Sequence, residues 1–180
     1  VGAGDISITN PGIITGATFG LTLGGTGNGS LSSIIGTTTG TLTKSGTGSW
    51  VISGANTYTG STTISAGTFK LGSAGSGANS PLGTVAGNKT KTNGAVLDLN
   101  GFSLVTTETI TLNGTGISSG GALTNSSPLT ASYNGVISLG SSSSIIANAG
   151  DIDITYSGTI AGATFGLTLG GSGNGTLSSN

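Results

Sequence analysis

Apolar residues in this chain come in short runs, cut at nearly even intervals by Gly, Asn and Ser. Asp5-Ile6-Ser7-Ile8-Thr9 alternates apolar and polar side chains, as a half-buried strand does, and 17–23 repeats the alternation with Phe19, Leu21 and Leu23 on one face. Leu31 to Ile35 and Gly40 to Leu42 follow in the same rhythm. The stretch 42–71 reads LTKSGTGSWVISGANTYTGSTTISAGTFKL and holds three runs, ending in Ile52, Ile64 and Leu71. The turn chemistry of Gly54-Ala55-Asn56 and Ser65-Ala66-Gly67 separates them. Runs this short, rich in Thr, Ile, Val and aromatics, predict strands rather than helices.

Further along, 72–79 is a loop of Gly, Ser and Ala, expected to be the most mobile part of the chain. The pattern restarts at 81–85, and 87–94, with Lys89 and Lys91, reads as a polar excursion. Val96, Leu97 and Leu99 form the next strand, with Asn100-Gly101 as its turn. Apolar positions then recur from Ile110 to Ile146.

Two architectures fit this rhythm. Asn-Gly pairs at 28–29, 93–94, 100–101, 113–114, 134–135 and 174–175 could each nucleate a hairpin, which would build an antiparallel β-sandwich. A sandwich predicts clean alternation on both flanks of each turn. Here many turns join runs of unequal pattern, and Gly stands at most corners, as in a coil whose faces meet at left-handed residues. The expected fold is therefore all-β, and the corners favour a parallel β-helix while the antiparallel sandwich stays open as the alternative. At about 20–25 residues per coil and about 4.8 Å between coils, six or seven coils advance about 30 Å.

The chain also repeats itself at a constant offset of 146. Ala3-Gly4-Asp5-Ile6 recurs as Ala149-Gly150-Asp151-Ile152, and 16–25 recurs without change as 162–171. Over the overlap, 24 of 34 positions are identical, and the rare types Asp5 and Phe19 recur in register. We read 1–146 as one complete unit and 147–180 as the start of the next, within a tandem array that continues past both ends. The absence of an initiating Met and of a signal peptide agrees with a segment of something larger.

Composition narrows the function. Charged residues make up 5 %, Gly accounts for 37 positions, and Ser and Thr together for about a third. A chain so rich in β-branched residues is not disordered, and the lack of a three-residue Gly period excludes collagen. Four Lys (Lys44, Lys70, Lys89, Lys91), with neither Arg nor His, are too few to bind nucleic acid. No apolar run reaches the roughly 20 residues that span a bilayer, so no membrane insertion of this segment is expected. The absence of Cys and Met leans towards an exported protein.

The pattern Lys44-x-Gly46-x-Gly48-x-Trp50-x-Ile52-Ser53-Gly54-x-Asn56-Thr57-Tyr58-Thr59-Gly60-x-Thr62-x-Ile64-x-x-Gly67-Thr68-Phe69 resembles the passenger-associated repeat of bacterial autotransporters, with Phe69 at the usual Leu. The run LDLNGFSL, 97–104, is similar to segments of the same family. The resemblance implies a right-handed parallel β-helix displayed outside a bacterial cell. It implies nothing about catalysis.

The search for chemistry yields little. The acids are Asp5, Asp98, Glu108, Asp151 and Asp153. Asp151 and Asp153, two apart, share a strand face and could form a dyad or a weak calcium site, but position 7 of the earlier copy is Ser. Gly24-Gly25-Thr26-Gly27 begins like a calcium-binding repeat, yet position 29 is Gly where Asp is needed. The Gly-rich strings lack the Gly-Lys-Ser/Thr of a phosphate loop.

Polysaccharide-active β-helices place acids and Arg or Lys in a groove, which four scattered Lys do not provide. Thr41/Thr43 and Thr57/Thr59 could begin an ice-binding ladder, but such pairs are not seen once per coil. Trp50, Tyr58, Tyr133 and Tyr156 could form a sugar-stacking platform or stack within the coil. Asn28, Asn88, Asn113, Asn125 and Asn174 stand in glycosylation sequences at near-chance frequency. Hence no catalytic, cofactor or metal residues are assigned. The expectation is a non-enzymatic, extracellular stalk, fibre or filament whose partners are neighbouring copies of the repeat. The alternative is an adhesin that binds glycans through the excursions at 72–79 and 88–94.

Overall fold

A computed structural model describes residues 4–179; the first three positions of the unit and Asn180 lie outside the described residues. The backbone winds as a parallel β-solenoid. Ile6, Gly29, Trp50, Phe69, Leu97, Leu123, Ile145 and Leu169 stand in one column, each the register partner of the next. These eight rungs mark seven turns, and the step between rungs runs from 19 residues (Trp50 to Phe69) to 28 (Phe69 to Leu97). At the usual spacing between hydrogen-bonded strands the column rises about 34 Å.

The turns share three faces. Face one carries the column just named. Face two stacks Leu21–Leu23, Leu42–Lys44, Thr62–Ile64, Lys89–Lys91, Ile110–Gly114 and the first half of Ile137–Ala147. Face three is ordered near both ends, where Ile13–Thr15 pairs with Ile34–Gly36, and Ala131–Tyr133, Ile152–Ile154 and Gly175–Leu177 stack in that order. The chain visits face one, then three, then two. Ile137–Ala147 runs through a corner, pairing with face two at its start and face one at its end.

Alternation explains the core. On face one Trp50, Ile52, Phe69 and Leu71 point in and are buried, while Val51 and Lys70 lie between them and remain half-exposed. Size is matched along the column: Trp50 stacks on Gly29, where any Cβ would stand 2.4 Å from the indole. This is the large-against-small packing that dense cores require.

Parallel pairing overturns the sandwich alternative. Asn100 and Gly101 do adopt left-handed angles (φ 50° and 79°), yet they turn a corner between faces. The one antiparallel pair among the described strands is Asn79–Ser80 with Gly83–Thr84. One further expectation is corrected. The segment 87–94 is no excursion, because Lys89–Lys91 is a strand of face two with both lysines pointing inward and buried. The loop 72–79 carries hydrogen bonds of its own. Ser73 Oγ donates to the Ser53 carbonyl at 2.8 Å, Ser76 N to that of Asn79 at 2.8 Å, and Val105 N to that of Ala74 at 3.1 Å.

Coils this close leave no room for side chains at some corners. A Cβ on Gly48 would lie 1.9 Å from the Gly27 carbonyl oxygen of the previous coil. Gly48→Ala is expected to lower the unfolding free energy by about 2–3 kcal/mol, read from denaturant melts. Gly170→Ala, whose Cβ would meet Ile146 at an ordinary 3.5 Å, should stay within about 0.5 kcal/mol.

Candidate functional site

The signature stretch 42–71 makes rather more than one coil, and its polar residues fasten that coil to its neighbours. Lys44 points into the core between Leu23 and Ile64. Its ammonium donates to the carbonyls of Ser45, Gly46 and Ala66, each at 2.9 Å. Corner carbonyls that have left the ladder are thereby satisfied inside the protein. Burial lowers the Lys44 pKa to about 8. Lys91 lies two rungs further along the same column, donates to the Asn113 carbonyl, and is lowered to about 8 for the same reason.

Trp50 Nε1 donates to the Gly24 carbonyl at 3.2 Å. Asn56 is fully buried: its Oδ1 accepts from Ile35 N at 2.7 Å and its Nδ2 donates to the Pro81 carbonyl at 2.8 Å, joining three turns. The Tyr58 hydroxyl meets Thr62 Oγ1 at 2.7 Å, and Thr62 Oγ1 donates to the Leu82 carbonyl at 2.8 Å.

Where face three is interrupted, the interior is filled by a polar cluster. Glu108 is fully buried; one carboxylate oxygen accepts from Ser80 Oγ at 2.7 Å and Thr106 Oγ1 at 2.9 Å, and the other lies 2.6 Å from Lys89 Nζ. Lys89 also donates to the carbonyls of Thr84 and Gly87. Tyr133 donates to the Glu108 carbonyl at 2.7 Å. Burial first, with the Glu108 charge adding to it, pushes the Tyr58 and Tyr133 phenols up, so both stay neutral. An ion pair this enclosed, with each partner further hydrogen-bonded, holds one geometry; removing either charge would strand the other.

These placements redistribute the candidate residues. Trp50, Tyr58 and Tyr133 are buried, so they form no sugar platform; Tyr156 alone is partly exposed. Asp151 and Asp153 are half-buried and serve the next rung: Asp151 Oδ1 accepts from Asn174 N at 2.8 Å, and Asp153 Oδ1 from Thr176 N at 3.0 Å and Thr176 Oγ1 at 2.8 Å. Among the described residues no three acidic side chains gather to hold a metal ion. Asn125 is buried and bonded within the fold, and Asn28 and Asn113 bond to neighbouring coils.

One surface feature runs further than the Thr41/Thr43 pair in the sequence suggested. On face two, Thr22, Thr43, Thr63, Thr90, Thr111 and Ser138 are register partners on six successive rungs, pointing outward in an unbroken row. The residues two positions before them, Thr41, Ser61, Asn88 and Thr109 among them, form a second exposed polar row. Steps of 20, 21 and 27 residues hide this alignment from any search at fixed period. Three of the four lysines face inward, so this face carries little charge.

Residues 42–71 match the family described as passenger-associated-transport-repeat. Over 126 residues, 69 % of the chain, the sequence is 36 % identical to the adhesin BmaC autotransporter of Brucella suis biovar 1 (strain 1330). The matched stretch spans 3 % of that protein's length. No solved structure matches the chain.

The buried lysines make stability depend on pH in a definite direction. Lys44 and Lys91 lose their protons near 8 when folded and near the ordinary 10.5 when unfolded. Across that window the unfolded chain binds more protons, so stability rises with pH. Thermal midpoints are expected to climb between about pH 7.5 and about pH 9.5. Lys44→Met should flatten the climb, measured by circular dichroism at constant ionic strength.

Proposed function

Because the chain carries an autotransporter passenger repeat, we propose that it is a segment of a bacterial surface passenger and acts there as a rigid, non-enzymatic stalk. In this reading 1–146 is one structural unit, 147–180 opens the next, and the partners of each unit are further copies joined end to end. The supporting observation is the uninterrupted face-one column, eight rungs long, in which every coil is hydrogen-bonded to its neighbours through the backbone. Such a ladder resists bending along its whole length, and stability sums coil by coil. The outer surface is rich in hydroxyls and poor in charge, which suits exposure outside a cell.

The test is length. Small-angle scattering and electron microscopy of chains with one and two complete units should show rods of constant width. The second unit should add about 30 Å, the rise of just over six turns. A compact particle, or two rods joined at a flexible elbow, would refute the stalk.

A second reading is favoured by the threonine row and by the matched stretch of an adhesin: the passenger binds surface glycans. The flat, uncharged row on face two supports this better than the loops the sequence pointed to. If so, Thr63→Lys should weaken retention on a glycan array at least about tenfold, through a desolvated charge on the contact face. Its melting should match the parent, and unchanged retention would refute this surface.

A further inference from the structure

The segment 5–33 and its copy 151–179 share one local structure. Ile6–Ile8 pairs with Gly29–Leu31 residue for residue as Ile152–Ile154 pairs with Gly175–Leu177. Thr18 and its counterpart Thr164 take the same left-handed φ, 69° and 68°. Asp5 Oδ1 accepts from Asn28 N at 2.9 Å, and Asp151 Oδ1 from Asn174 N at 2.8 Å.

Yet the copies occupy different faces. Ile6–Ile8 lies on face one, whereas Ile152–Ile154 lies on face three. Leu21–Leu23 lies on face two, whereas Leu167–Gly171 lies on face one. Every element of the second copy is displaced by one face. Six turns carry Ile6 to Ile145 on face one, and one further face reaches Ile152. A unit of 146 residues is thus six turns and a third.

The first copy is covered where the second is bare. Leu23 and Leu31 are 4 % and 0 % exposed beneath the coil that carries Trp50, whose indole lies over Gly29 and donates to the Gly24 carbonyl. Their counterparts Leu169 and Leu177 are 52 % and 43 % exposed. They border an open depression of about 270 Å³ together with Gly170 and Gly175, the counterparts of Gly24 and Gly29. At the opposite end Ile6 and Ile8 are 53 % and 37 % exposed, while Ile152 and Ile154 are buried beside Ala131–Tyr133.

We propose that the depression at Leu169 and Leu177 is the seat of a second Trp50 coil, residues 35–53 of a following unit. That coil sits a third of a turn around the axis from the first. Its indole lies over Gly175, with the ring N–H directed at the Gly170 carbonyl. The proposal rests on the end-to-end reading above. It follows that three units restore the phase, so the threonine row of face two points in three directions, about 120° apart, along an array.

The test extends the full chain with a copy of residues 35–71 after Asn180, in a Trp50→Phe background, so that the appended tryptophan is the only one. Its emission should be blue-shifted and shielded from acrylamide, as Trp50 is in the parent chain. Leu177→Asp should leave the melting of the unextended chain unchanged but expose the appended tryptophan to quencher at least about fivefold more. An appended tryptophan that emits as in water overturns the seat, and so does one that stays shielded despite Leu177→Asp. In the unextended chain, which lacks cysteine, Ser132→Cys with Asp153→Cys should form a disulfide under oxidation, because those residues are register partners on face three. Crosslinking of Thr124→Cys to Asp153→Cys instead, the pairing that a whole six turns would give, would overturn the one-third turn. A two-unit rod of the expected length whose appended tryptophan is exposed would keep the stalk and reject only the seat.

Discussion

Parallel backbone pairing from coil to coil is the constraint on which this molecule depends. Each rung satisfies its neighbours' N–H and C=O groups, but only along the faces; at corners the chain leaves the ladder and its polar groups must find other partners. The solenoid answers with a few buried polar side chains. Lys44 takes three corner carbonyls, Asn56 links three turns, and Glu108 gathers Ser80, Thr106 and Lys89. Most of the chain's scarce charge is therefore spent inside.

This explains the composition. A surface of Thr, Ser and Gly tolerates coils of unequal length, because little outside the ladder needs specific pairing. Glycine is required where coils touch, as at Gly48 against the Gly27 carbonyl and Gly29 beneath the Trp50 indole. The widest steps between rungs, on either side of Leu97, fall where face three is interrupted and the Lys89–Glu108 cluster fills the interior. Irregular length is absorbed where side chains replace backbone bonds.

In the proposed stalk, mechanics and recognition fall to different parts of each coil. The ladder sets length and stiffness, while the outward residues of each face are free to vary. Because the second copy of the repeat lies one face away from the first, the same sequence presents its outward residues in two directions. In the proposed adhesin, a surface of modest affinity displayed in several directions would engage more than one glycan at once.

Strand rhythm, corner glycines and the 146-residue repeat were legible without coordinates, since they depend on local alternation and on identity along the chain. The signature from Lys44 to Phe69 likewise pointed to a coil, because its short apolar runs and the turn residues between them alternate locally. Three things were not legible. Lys89 and Lys91 read as an excursion because charge suggests exposure, yet enclosed carbonyls and Glu108 supply partners that only the stacked coils bring near. The threonine row was invisible because uneven steps scramble its spacing along the chain. The phase of the second copy depends on the length of every intervening coil, a sum that identical sequences cannot reveal and only the closed turns decide.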